Sequence, residues 1–182
     1  MSAGKVKAVI AAIDQLNEFI GRGLAWFSLG LVLTTFLVVL LRYVFSIGSV
    51  ALQESLLYMH SIIFMLGAAY TLRHDAHVRV DVLYRPLSAR RKALINLLGI
   101  LFILFPFCGF IGYISWEYVS SSWGYREGSR EAGGLDAVFL LKSLMLIMPV
   151  MLVVQGTAEL LRSVLVLRGQ AIQPVDDTGV VL

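Results

Sequence analysis

The residues of strongest chemical character crowd into "LRHDAHVRVD", residues 72–81, with two histidines, two aspartates and two arginines. His74 and His77 are three apart and share a face if the segment is helical. Asp81, four residues further on, could complete three ligands for zinc. Histidine beside aspartate also suits general acid–base work. Zinc sites, however, usually draw a further ligand or a supporting carboxylate from another element. The remaining histidine, His60, lies several turns away inside an apolar run. Arg73 and Arg79 would add charge of the wrong sign, whereas arginines at a helix C-terminus are favoured by the helix dipole. The segment therefore reads as the polar exit of an apolar helix, and neither a metal nor a catalytic residue is assigned to it.

Other chemistries lack their parts. A bis-histidine haem anchor needs two axial histidines within membrane spans, and only His60 qualifies; a haem or redox anchor stays as an alternative from another class. A lone histidine inside a span is a functional candidate by default, and His60 is expected to hydrogen-bond within a packed helix interface. No G-x-S-x-G elbow, H-E-x-x-H, phosphate-binding glycine loop or dinucleotide fingerprint occurs. Together these point away from an enzyme and from a bound cofactor. The single cysteine, Cys108, sits in an apolar run and has no disulfide partner. Basic residues do not interleave with aromatic ones as in nucleic-acid binders. Arg42 and Glu54 bracket a short turn between two apolar runs, where an ion pair would be worth under about 1 kcal/mol. A stand-alone four-helix efflux protein would want a carboxylate inside a span, and Glu54 is the nearest candidate.

The elements that would carry these residues follow from composition. The chain of 182 residues is 58% hydrophobic and 15% charged, with mean hydropathy +0.82; soluble domains hold about 25% charged residues. Four runs are long enough for a bilayer, which takes about 20 apolar residues: 23–44, 55–72, 93–116 and 137–158. The fold class is an all-α integral membrane protein with four transmembrane helices, forming one membrane domain over 1–168. Residues 169–182 read as a flexible cytoplasmic tail. Lysine and arginine number eleven on the side holding the N-terminal arm, the 73–92 loop and the tail, against four on the other. The positive-inside rule then places both termini in the cytoplasm. Over residues 6–20, Val6, Ile10, Ile13 and Leu16 alternate with Lys7, Asp14, Asn17 and Glu18 at helical spacing. That pattern predicts an amphipathic helix lying in the membrane interface or against a partner. The loop from Glu117 to Asp136 is glycine-rich and expected to be irregular.

"LLRYVF" closing the first run, "QESLLYMHSIIFMLGAAYTLRHDAHVRVD" through the second and "LLKSLMLIMPVMLVVQGTAELLRS" in the last resemble one known family. It is the small (Q-type, DctQ-like) membrane subunit of tripartite ATP-independent periplasmic (TRAP) transporters, and the resemblance covers about residues 10–168. The family's H-x-x-V-D element is present as His77, Val80 and Asp81. An aromatic residue and one acid that the family often carries near Gln53 are absent. The resemblance implies a subunit that scaffolds and anchors a large multi-span permease in the bacterial inner membrane, contacting membrane lipids and no nucleic acid. It implies a periplasmic substrate-binding protein that delivers a small organic acid, with coupling to an ion, sodium in this family. Arg42, Glu54, His77 and Asp81 would then be structural or partner-interface residues, and Gly67, Ala68 and Ala69 a small-residue face for the large subunit.

Overall fold

The computed structural model describes residues 3–75, 84 and 86–170, and every described secondary element is helical. His77, Asp81 and the expected tail beyond residue 170 lie outside the described residues. Four helices are long and apolar enough to cross a membrane: α1 (Gly4–Tyr43, beginning at Ala3), α2 (Val50–Arg73), α3 (Ala89–Gly124) and α4 (Val138–Leu167). Each predicted apolar run falls on one of them.

The amphipathic arm is not a separate helix. Residues 3–43 form one uninterrupted helix of 41 residues, about 60 Å long at 1.5 Å per residue. Neither proline nor a capping residue interrupts the chain between the arm and the apolar run, so helical hydrogen bonding propagates through the junction. The arm's apolar face packs on α4, where Ile10 joins Ala158 and Leu165 with Val6, Ile13 and Leu161 around them. This places the start of α1 beside the end of α4.

α4 is the hub of the bundle and touches α1, α2 and α3, while α1 also lies along α2. Close approach is bought with small residues. A Cβ at Gly21 of α1 would fall 2.1 Å from the Tyr70 ring of α2, and one at Gly156 of α4 would fall 2.8 Å from Leu104 of α3. Gly67 faces Leu24 of α1, and Ala69 is fully buried within the chain. Gly67 therefore lies at the chain's own α1–α2 crossing, and Ala69 is covered by the chain itself.

α3 widens into a π-helical segment at Ile100–Leu104, where the Phe105 N–H bonds to the Ile100 carbonyl. Pro106 follows immediately, and a proline lacks the N–H that an α-helical turn would direct at residue 102. α4 ends in a Schellman closure, with Gly169 at φ 74 and Gln170 N–H on Leu165 O at 3.0 Å. The outward faces are strongly apolar, with Trp26, Phe36, Phe102, Phe110 and Trp116 exposed. An apolar surface of this extent fits a bilayer or a protein partner, not water.

Candidate functional site

Polar side chains gather at the two ends of the bundle. At the end holding the termini, Asp14, Asn17 and Glu18 lie one helical turn apart on α1, and Gln155, Glu159 and Arg162 follow one another on α4. Asn17 and Gln155 are buried, the latter completely. The Asn17 amide donates to Gln155 Oε1 at 2.8 Å. Gln155 Nε2 in turn donates to Asp14 Oδ1 at 3.2 Å and Glu159 Oε1 at 3.3 Å. Arg162 closes the ring, donating to Asp14 Oδ2 at 2.6 Å and also pairing with Glu159.

α2 enters this network through its last turn. Arg73 pairs with Glu18, with Asp14 at 4.0 Å, and His74 Nε2 lies 3.5 Å from the same Glu18 carboxylate. His74 Nδ1 lies 3.0 Å from the Tyr70 carbonyl. Part of the histidine-rich exit is thereby committed to helix packing. Among the described residues, no group of three or more histidine, cysteine, aspartate or glutamate side chains is arranged to hold a metal.

Beside the network lies a cavity of about 670 Å³ between the end of α2, the first half of α3 and α4. Leu72, Ile95, Ile100 and Leu104 give it an apolar wall, and Arg73, Arg162 and Glu159 a charged edge. Both arginines are already paired with acids, so this edge offers no uncompensated cation to a carboxylate substrate.

At the opposite end, two carboxylates hold the loop between α3 and α4. Glu54 of α2 accepts from the Ser129 hydroxyl and from the Leu135 backbone N–H at 2.6 Å. Both of its oxygens are thus engaged by the loop and not by Arg42, which is exposed at the α1–α2 turn and borders a shallow cleft with Gln53. Ser49 caps the start of α2, its hydroxyl accepting from Leu52 N–H at 3.4 Å. Glu127 accepts from Lys142 and, at 2.7 Å, from the Ser122 hydroxyl. The Lys142 bond, with help from Ser122, holds the Glu127 carboxyl below its usual range. Lys142 also lies over the Tyr118 ring at 3.8 Å. Arg126, just before Glu127, takes the left-handed conformation at φ 49, closing α3 with Glu127 N–H on Ser122 O at 3.0 Å. The loop is irregular only from Tyr125 on, because α3 runs through Gly124 and takes in the first part of the stretch expected to be irregular, and it is tied down at both halves.

The described residues form helices only, four of them long enough to span, and the charges at Asp14, Glu18, Arg73, Arg162, Glu127 and Lys142 hold helix ends together. The family model of tripartite ATP-independent periplasmic transporters, DctQ component, matches residues 31–166. The chain belongs to the DctQ family. No curated protein and no solved structure matches it. This DctQ chain is therefore a component of a transporter and a multi-pass membrane protein, and the resemblance in its second and last apolar runs is that of a true member.

Of the four residues singled out from sequence, the described structure holds two, Arg42 and Glu54, and does not bring them together as a pair. Glu54 instead clamps the outer loop of the DctQ chain. Sequence reasoning put Asp14, Asn17 and Glu18 on the polar face of the arm but missed the Gln155–Glu159–Arg162 stripe of α4. The signal was there: polar residues at i, i+4 and i+7 near the end of an apolar run need partners, and α1 carries a complementary set.

Proposed function

We propose that this DctQ chain is the fixed small permease subunit of a tripartite uptake system in the bacterial inner membrane. It holds a large multi-span permease in place while that subunit, coupled to sodium, moves a small organic acid handed over by a periplasmic binding protein. Both termini lie in the cytoplasm, the side on which the arm, the 73–92 loop, Arg162 and Arg168 together hold eleven of the fifteen basic residues. The chain carries out no reaction of its own.

The observation that carries this reading, beyond family membership, is the knitting of α1, α2 and α4 by the Asp14–Gln155–Arg162 and Glu18–Arg73 contacts. A subunit that must resist the movement of its partner gains from helices that cannot slide past one another. Arg42, Glu54, His77 and Asp81 belong to this structural and partner-interface role.

The test is uptake in a bacterial host expressing all three components, with alanine placed at each of these four positions in turn. Assembled complex or uptake rate should fall, while the order of preference among competing organic acids stays the same. A changed substrate preference in any variant would mean that the substrate site includes this chain.

A further inference from the structure

One face of α2 does not fit a helix bathed in lipid. Its exposed residues Gln53, Leu57, His60 and Phe64 recur at the spacing of a single helical stripe. Leu57 is 54% and Phe64 70% exposed, and the His60 ring stacks on Phe64 with centroids 6.4 Å apart. His60 lies about 15 Å along the axis from Val50 and about 20 Å from Arg73, at 1.5 Å per residue. Both ends of α2 are fixed, the first turns by Ser49 and Glu54 and the last by Arg73. His60 therefore sits near the middle of the span.

There an imidazole has few ways to satisfy its two nitrogens. Among the described residues His60 makes no hydrogen bond, in contrast to His74, whose Nδ1 lies at hydrogen-bond distance from a carbonyl one turn back. Its side chain is too short to reach an interface, and hydrocarbon offers neither donor nor acceptor. The packed helix interface expected to hydrogen-bond His60 is not supplied by the described residues of this chain, which points to a partner.

We propose that the Gln53–Leu57–His60–Phe64 stripe is the docking face for a membrane-spanning helix of the large permease subunit, with His60 hydrogen-bonded to a polar side chain on that helix near mid-membrane. This rests on the function proposed above, since it takes the large permease as the occupant. A second copy of this chain is a poorer fit. Two imidazoles meeting across a two-fold axis share at most one hydrogen bond between two rings, whereas a different helix can give each His60 a bond of its own. Small and polar residues are what spanning helices use to recognise one another, because apolar surface alone does not distinguish protein from lipid.

The experiment uses the full chain co-expressed with the large permease. A photoreactive phenylalanine derivative replaces Leu57 or Phe64, and His60→Leu and His60→Gln are made separately. The large permease should appear in the cross-linked product from both positions. His60→Leu should weaken co-purification by about three- to twentyfold, the range of interhelical hydrogen bonds in membranes, with unchanged amounts of this chain in the membrane. His60→Gln, which keeps a donor and an acceptor, should restore most of it. Cross-links only to lipid or to a second copy, or undiminished co-purification of His60→Leu, would overturn the docking face. If the wild-type chain fails to co-purify with the large permease at all, the proposed function falls together with it.

Discussion

Leucine in place of Gln155 removes three hydrogen bonds at once and leaves the Asn17 amide and the Asp14 carboxylate short of partners in a buried place. Stranding such groups costs about 1–3 kcal/mol, so Gln155→Leu should lower the unfolding midpoint of the purified chain in detergent. Adding Asn17→Leu removes the other side of the shortest of these contacts, and replacing both members of a polar pair is far less harmful than replacing one. The double variant should therefore lose less than the sum of the two single losses; strict additivity would show that the pair contributes nothing to stability. Glu127 makes a prediction of a different kind. Its folded pKa is depressed, chiefly by Lys142, so it binds protons less readily folded than unfolded. The stabilisation it gives is complete above the ordinary glutamate range and is lost as pH falls through the depressed folded value. Trp123 reports on this, since its indole N–H donates to Ser143 at 2.8 Å and its ring meets Phe139 edge-on. Acid titration should shift Trp123 fluorescence in the wild type, and Glu127→Gln should remove that step.

Helix pairs depend on where a side chain is missing. Gly21 and Gly23 are two residues apart on α1, yet a Cβ at the first meets the Tyr70 ring while one at the second meets nothing within 4 Å. Gly21→Ala should force Tyr70 to turn, disturb its 4.1 Å ring contact with His74 and destabilise by about 1–3 kcal/mol, as overpacking does. Gly23→Ala should be neutral or stabilising by up to about 1 kcal/mol, the difference in helix propensity. Thermal unfolding of the two variants side by side decides it, and equal effects would mean that α1 and α2 do not cross at Gly21. The helices themselves were legible in the sequence because four long apolar runs leave few alternatives in a membrane. Their pairing was not. Asp14, Asn17 and Glu18 have the spacing of a water-facing stripe, and only the meeting of α1 with α4 and α2 shows that Asp14 and Asn17 face Gln155 and Arg162 while Glu18 faces Arg73. Gly67 and Ala69 suggested a face for a partner by their size, but size does not say which neighbour comes close. Nor could Pro106 alone announce the π turn, since a proline can equally be absorbed as a kink.

At the scale of the whole molecule the charges have two jobs that cannot be read apart from one another. Arginines that count toward the proposed orientation are, at Arg73 and Arg162, also bolts between helices. α1, at about 60 Å, is twice the roughly 30 Å hydrocarbon core, and its arm is packed along the end of α4, so in the proposed arrangement the two make a rigid post beyond the lipid. If the chain is a fixed scaffold, locking that post should not matter to transport. A chain with Cys108→Ala, Ile10→Cys and Leu165→Cys would place two thiols across the α1–α4 seam, and a short bifunctional thiol reagent would then tie the helices. Uptake by proteoliposomes containing the whole tripartite system should keep most of its rate after locking, compared with the same chain treated with a monofunctional reagent. A loss of transport with the complex still assembled would mean that α1 and α4 move against each other in every cycle, and that the small subunit takes part in the motion it is proposed to resist.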